Sequence, residues 1–158
     1  MTYYTSVIQP DEDVRYVGTL HWLIYTKAIV WGFVTIATSV IAISIRSNPG
    51  FETWTLVAAL VAAIFLLCAL AAFLHAWLKR RSTEIVITNK RVLYKTGLIA
   101  RRTEEMNITK VETVDVRQTV PGRIFGYGTV LIRGIGSSWE PLDRVTAPVK
   151  LRNAIIVG

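Results

Sequence analysis

The side chains best suited to catalysis or metal binding are few in this sequence and lie far apart. The chain of 158 residues contains two histidines and one cysteine. His75 follows Cys68 by seven residues, so both side chains would lie on one face of a helix and could offer two ligands to a metal ion or a haem. Such a site needs further ligands from another copy of the chain. Packing at the end of an apolar helix is the simpler interpretation of His75.

Nucleophilic and phosphate chemistry lack their usual residue patterns. Residues 79–158 contain no histidine, so no serine in that half has the base that a Ser–His–acid triad requires. The pairs Gly126–Gly128 and Gly134–Gly136 lack the strand–GxGxxG–helix setting of a phosphate loop, and they predict turns or close packing instead. We therefore expect a binding protein and not an enzyme, with no cofactor and no metal ion.

Basic side chains are the remaining candidates for function, and most of them lie in the second half of the chain. The net charge is +7. Residues 1–78 contain three basic and four acidic side chains, whereas residues 79–158 contain fifteen and seven. The candidate lipid- or partner-binding residues are Lys79, Arg80, Arg81, Lys90, Arg91, Lys95, Arg101 and Arg102.

These basic residues also have plainer interpretations, which the sequence leaves open. Residues 79–81 directly follow a long apolar run, where each charge near an anionic leaflet contributes about 1 kcal/mol, but there they could also serve only to orient that run. The others could form a solvated strand surface paired with Glu104, Glu105 and Glu112. Nucleic acid is not an expected partner, because the aromatic residues of this half are scattered and form no stacking platform.

Two long apolar runs must position this basic half. Ala28–Ile45 and Trp54–Leu78 contain no Asp, Glu, Lys or Arg, and about twenty helical residues suffice to cross a bilayer core. The rest of the chain is too short to cover both helices in a soluble core. The first run is not a signal peptide, because an acidic segment precedes it and a basic n-region is missing. We therefore predict a transmembrane helical hairpin over residues 21–78.

Basic residues near the ends of the runs predict the orientation of this hairpin. Arg15, Lys27 and residues 79–81 lie on one side, whereas the connecting loop offers only Arg46. The positive-inside rule then places both termini in the cytoplasm, with residues 1–20 as a cytoplasmic N-terminal segment. Small residues at four-residue spacing favour packing of the hairpin on itself or in a homo-oligomer; these are Ala28–Gly32, Thr35–Ser39, Ala58–Ala62, Ala59–Ala63 and Ala72–Ala76.

From Ser82 onwards, short β-rich runs replace the helical pattern. Alternation and turn residues predict strands at 83–88, 91–95, 98–106, 110–118 and 129–133, with an edge strand from Trp139. The three glycines in Gly122–Gly128 indicate several backbone positions with positive φ angles. Pro148 predicts the start of a helix that buries Leu151, Ala154 and Ile155. These elements fit a small barrel or sandwich with a helical plug.

Several of these runs resemble a known family. Thr88–Met106 (TNKRVLYKTGLIARRTEEM), Lys110–Gln118 (KVETVDVRQ) and Gly122–Val130 (GRIFGYGTV) are similar to the bacterial pleckstrin-homology-like (PH-like) membrane proteins, as are Gln9–Glu12 and Leu20–Trp22. The resemblance implies a membrane α-helical hairpin followed by a small α+β PH-like domain over residues 79–158. Two nearly orthogonal antiparallel sheets and a C-terminal helix would form that domain. The family brings no shared catalytic residues.

The resemblance also bears on function. In phosphoinositide-binding PH domains, basic residues around the first hairpin hold the headgroup phosphates. Bacteria generally lack those lipids, so anionic phospholipid headgroups or an acidic protein face become the expected partners. We expect a multi-pass protein of the bacterial cytoplasmic (inner) membrane whose domain scaffolds or recruits a membrane or cytoplasmic protein. The alternatives are a small accessory subunit of a transporter or membrane enzyme, and a module that binds anionic lipid.

Overall fold

The apolar hairpin interrupts a second folded unit of the chain. The computed structural model describes residues 7–46, 50, 52–97, 102–135, 137–138 and 141–156. One unit is the hairpin, Leu23–Leu78, and the other combines Met1–Trp22 with Lys79–Gly158. We call the second unit the domain. The sequence pattern alone separates residues 1–20 from the domain, whereas the structure places residues 7–20 in it.

The hairpin consists of α1 (Thr26–Arg46) and α2 (Glu52–Ser82), with a 3-10 turn at Trp22–Tyr25 before α1. Both helices are long and apolar enough to cross a membrane. Each contains one of the two predicted apolar runs. α2 continues past its run through three basic residues, which are favourable at a helix C-terminus.

Aromatic side chains make contacts within the hairpin. Two pairs are stacked, Tyr25 with Phe73 and Trp31 with Phe65. Of the small residues in α2, Ala58 and Ala62 are half-buried, whereas Ala59 and Ala63 are exposed. Packing of the hairpin through its small residues stays a prediction.

The first sheet of the domain contains four antiparallel strands in the order β1-β2-β3-β4. The strands are β1 (Val14–Gly18), β2 (Glu84–Thr88), β3 (Arg91–Thr96) and β4 (Arg102–Asn107). Asn89 and Lys90 connect β2 to β3 in the shortest common hairpin loop, as expected from their turn propensity. β1 precedes the hairpin in the chain, whereas β2 follows it. The two strands are nevertheless paired, with Gly18 opposite Ile85.

The second sheet is built around one long strand. The elements are β5 (Val111–Arg117), α3 (Val120–Phe125), β6 (Tyr127–Gly134), β7 (Ser137–Ser138) and β8 (Leu142–Thr146). β6 pairs antiparallel with β5, β7 and β8. The expected strand start at Trp139, and the expected strand residues 98–101, lie outside the described residues.

The glycine-rich segment after β5 begins with a helix, so the prediction of several positive φ angles is wrong there. The Thr119 hydroxyl accepts a hydrogen bond from the Gly122 amide at 3.2 Å and caps α3. A proline in the first turn has the φ angle that a helix needs. Within the described part of this segment only Gly126 has a positive φ, of 74°, and it ends the helix.

The last helix, α4 (Pro148–Ile156), closes the domain core. It contacts β1 and β2 of the first sheet and β5 and β6 of the second. The buried core residues are Ile85, Ile87, Val92, Met106, Val130, Ile132, Leu142, Val145, Leu151 and Ile155. The predicted inner face of the helix is therefore confirmed. Two antiparallel sheets with a C-terminal helix are the architecture that the resemblance implied.

Shortening one buried side chain of α4 tests this account of the core. We expect Leu151→Ala to lower the free energy of unfolding by about 2–5 kcal/mol, because Leu151 is fully buried between the helix and the sheets. Val149 is 45% exposed, and Val149→Ala should change stability by less than about 0.5 kcal/mol. Urea unfolding of the full chain in detergent micelles measures both. Equal losses in the two variants would contradict the assignment of the buried face.

Candidate functional site

Strand register distributes the basic candidates between two ends of the first sheet. At the end marked by Gly18 and Glu84, the chain enters and leaves the hairpin; we call it the junction end. At the opposite end, marked by Val14 and Thr88, β2 turns into β3; we call it the turn end. The five-residue length of β2 separates the two ends by roughly 15 Å.

At the turn end, carboxylates surround Arg91. Its guanidinium group donates hydrogen bonds to both Glu12 oxygens at 2.9 Å and to Glu105 at 2.7 Å. It also donates to the Val7 carbonyl at 3.1 Å. Glu12 and Glu105 neutralise the positive charge of Arg91, a residue predicted from the sequence to bind a lipid headgroup or a partner. In the folded domain, Arg91 therefore binds the segment that precedes β1.

Glu12 is the acidic centre of this contact. Its side chain is fully buried, and it accepts hydrogen bonds from the Thr88 hydroxyl at 2.7 Å and from the Gln9 amide at 3.2 Å. The hydrogen bond from Arg91 lowers the pKa of Glu12 from 4.5 to about 2, although burial raises it. Glu12 is therefore ionised at neutral pH, and it clasps the N-terminal segment to the β2–β3 turn.

Lys90, the other basic candidate at the turn end, is an exposed side chain beside an acidic one. Its ammonium nitrogen lies 3.9 Å from an Asp11 carboxylate oxygen, and both side chains are largely in solvent. An exposed pair at this distance contributes little to stability. The segment 11–13, which is entirely acidic, thus balances the basic residues of the first hairpin turn.

The junction end carries most of the remaining basic candidates. Residues 79–81 are exposed in the last turn of α2. Lys95 lies opposite Glu84 in the sheet, and Arg102 lies opposite Thr96. Arg102 also pairs with Glu104 at 2.8 Å. Together with the pair of Arg91 and Glu105, this engages two of the three expected acidic partners, Glu104 and Glu105 but not Glu112, among the ion pairs of the described residues. Arg101 lies outside the described residues.

A pocket of about 320 Å³ opens beside the junction end. Its polar groups come from Lys79, Thr83, Tyr94 and Asp143, and its apolar wall comes from Leu20, Ile85, Pro141 and Leu142. A concave site with a few polar groups on an apolar wall suits a small ligand or part of a lipid headgroup. No local pattern indicates this pocket, because four separate segments of the chain form it.

His21, just before the hairpin, is a packing residue. Its ring is buried and stacks on Tyr127 with the ring centroids 5.3 Å apart. Burial lowers the pKa of His21, and the nearby charge of Arg80 lowers it further, against the opposing effect of a hydrogen bond with the Phe125 backbone. A neutral ring at physiological pH therefore joins the segment before α1 to the start of β6.

Turn geometry and close packing, the predicted roles of the glycine pairs, are both observed: Gly126 has a positive φ at the end of α3, and Gly128 and Gly134 pack closely. A Cβ atom on Gly128 would lie 2.8 Å from the Arg117 carbonyl oxygen, and one on Gly134 would lie 2.9 Å from the Lys110 carbonyl oxygen. Gly136 lies outside the described residues. Within the parts of the chain that the structure describes, no three His, Cys, Asp or Glu side chains form a group that could hold a metal ion.

Comparison with known proteins adds one finding. A family model described as bacterial PH domain matches residues 29–154, a range that includes most of the hairpin and reaches into α4. No curated protein and no solved structure matches the chain.

The Glu12 clasp predicts a specific pH dependence. The pKa of Glu12 in the folded state lies below its ordinary value of 4.5, so its stabilisation is complete above that pH and is lost as the pH falls towards about 2. The difference corresponds to roughly 3 kcal/mol at neutral pH. We expect Glu12→Gln to be less stable at neutral pH and to lose less stability on acidification than the native chain.

Tryptophan fluorescence during acid titration of the full chain in detergent measures this effect. Asp11→Asn is the matched control, because the Asp11 side chain is 87% exposed and its loss should leave the titration unchanged. The clasp would be refuted if Glu12→Gln followed the same acid profile as the native chain.

Proposed function

This chain belongs to the bacterial PH domain family, and we propose that it is an integral protein of the bacterial cytoplasmic (inner) membrane. In this proposal the hairpin spans the bilayer and the PH-like domain faces the cytoplasm. There the domain scaffolds or recruits other proteins by binding, without catalysing a reaction.

The pairing of β1 with β2 is the observation that carries this proposal. The two strands flank the hairpin in the chain and are hydrogen-bonded neighbours in one sheet. Strands in one sheet must lie on the same side of a membrane, so the segment between them must cross an even number of times. Two helices long and apolar enough to cross satisfy this condition.

The outer surface of the hairpin supports a lipid environment. Large apolar side chains remain exposed along both helices, including Phe33, Ile43, Leu56 and Leu67, each at least 66% exposed. In water this surface would be strongly unfavourable, whereas hydrocarbon accommodates it. The basic residues at the junction end then favour the cytoplasmic orientation, by the positive-inside rule.

Strand edges give the domain a means of binding partners. β4 ends the first sheet and β5 ends the second, so each has an edge without a ladder partner among the described strands. Such an edge can accept an added strand from another protein, and the charges of β4 would help to select it. Recruitment by strand addition therefore needs no ligand-induced change in the fold.

Anionic-lipid binding is a second candidate function, and one observation favours it. The candidates at residues 79–81, Lys95 and Arg102 lie at the end of the domain where the chain enters the hairpin. Each basic group near an anionic leaflet contributes about 1 kcal/mol of attraction. Lipid contact at this end would support recruitment at the free edges without competing with it.

Cysteine accessibility tests the topology. In a Cys68→Ser background, we expect Thr53→Cys, in the first turn of α2, to react with a membrane-impermeant maleimide in intact spheroplasts. Lys90→Cys, in the β2–β3 turn, should react only after lysis. The reverse pattern would place the domain outside the cell, and reaction of both in intact spheroplasts would contradict a two-span hairpin.

Exchange of the hairpin tests recruitment by the domain. We expect the chain to keep its crosslinked neighbours when residues 23–78 are replaced by an unrelated two-span hairpin. The exchange retains every residue of the domain, including β1, which deletion of the first half would remove. Crosslinking in native membranes with mass spectrometry identifies the neighbours. Their loss would support the accessory-subunit alternative, in which the hairpin is the contact.

A further inference from the structure

The short helix α3 exposes its large apolar side chains. Val120 and Ile124 are each 74% exposed, and Phe125 is 53% exposed; we call these three residues the α3 tip. The only buried residue of the helix is Gly122. Most helices on a domain surface turn their apolar side chains towards the core, whereas this helix turns them outwards.

The orientation of the α3 tip is held by its surroundings. A Cβ atom at Gly122 would lie 2.7 Å from the Tyr127 carbonyl oxygen, so only glycine lets the helix lie so close to β6. Thr119 caps the first turn, and Gly126 ends the helix in the left-handed conformation. Gln118 also donates to the Tyr127 carbonyl at 3.0 Å. The chain thus holds a capped helix against the second sheet with its apolar residues outward.

The α3 tip lies where the chain enters the hairpin. The Phe125 ring meets the Trp22 ring edge-on, with the centroids 6.5 Å apart. Trp22 is itself 47% exposed, and it is the first residue of the stretch long and apolar enough to cross a membrane. The exposed apolar surface therefore continues from the start of that stretch onto α3.

The composition of this surface matches that of interfacial segments. Trp22 and Phe125 supply aromatic rings, Ile124 supplies an aliphatic group, and Arg123 adds an exposed positive charge between them. Aromatic residues are enriched at headgroup depth, and basic residues beside apolar ones attract anionic lipid. A protein that docked on the α3 tip would have to share this position with the bilayer, because the stretch long and apolar enough to cross it begins at Trp22.

We propose that the α3 tip inserts into the headgroup–acyl boundary of the bilayer that holds the hairpin. This proposal rests on the membrane location proposed above. The contact gives the domain an apolar attachment besides its covalent connections to α1 and α2. It also differs from the first-hairpin site that the sequence indicated, since Arg91 there binds Glu12 and Glu105.

Depth-dependent quenching in the full chain tests the insertion. In a Cys68→Ser background, Ile124→Cys carries an environment-sensitive fluorophore. The matched control is Ile135→Cys, because Ile135 is also exposed, at 75%, but lies at the other end of β5. Its amide donates to the Lys110 carbonyl just before β5 begins, whereas α3 follows the end of β5. Leu67→Cys, in α2, reports insertion of the hairpin. Each protein is reconstituted in vesicles of phosphatidylethanolamine and phosphatidylglycerol that contain a lipid with a shallow or a deep nitroxide.

We expect the shallow nitroxide to quench the probe at position 124 at least several-fold more than the probe at 135, and the deep nitroxide to quench the probe at 67. Equal, weak quenching at 124 and 135 would overturn the α3 proposal alone, provided that 67 is quenched. A blue-shifted but unquenched probe at 124 would show that protein covers the α3 tip, and this result would also overturn the α3 proposal. Absence of quenching at 67 would instead refute the membrane location on which the proposal rests.

Discussion

The domain depends on hydrogen bonds between two strands that are far apart in the chain. β1 precedes the hairpin and β2 follows it, yet they are neighbours in the first sheet. This pairing makes the segment before the hairpin a structural part of the domain. It supports an even number of membrane crossings, and it brings His21 and Trp22 beside the start of β6 and the end of α3. The junction end and its pocket, which Leu20 helps to line, follow from this closure.

The charged residues of the domain are distributed between the turn end and the junction end. At the turn end, acidic residues before β1 approach the basic residues of the first hairpin, and Glu12 and Glu105 bind Arg91 closely. Ion pairing there stabilises the fold and leaves little net charge for an outside ligand. Most of the remaining basic candidates lie at the junction end, where Arg102 is bound to Glu104. Five of the eight basic candidates therefore lie at the junction end, namely Lys79, Arg80, Arg81, Lys95 and Arg102.

Local patterns predicted the parts of the fold that local forces determine. The apolar runs, the β2–β3 hairpin and the inner face of α4 follow from periodicity and turn residues. β1 was not predicted, because a five-residue strand before a long apolar run shows nothing of a partner beyond that run. The glycines of α3 indicate positive φ angles and so do not predict a helix, although Thr119 and the proline are capping signals that could identify one. The basic residues were found by composition, but their pairing depends on contacts such as Glu12 with Arg91, which no local pattern encodes.

The order of synthesis gives the β1–β2 pairing a further consequence. The ribosome releases β1 early, and this strand must wait for its neighbour until both apolar helices have been made. Pairing across so long an insertion is slow compared with local hairpin formation, since the intervening chain must first be brought together. In the proposed topology, a helix that failed to insert would leave β1 and β2 on opposite sides of the bilayer. Completion of the domain would then act as a check on insertion, and a wrongly inserted chain would display an open sheet edge to proteolysis.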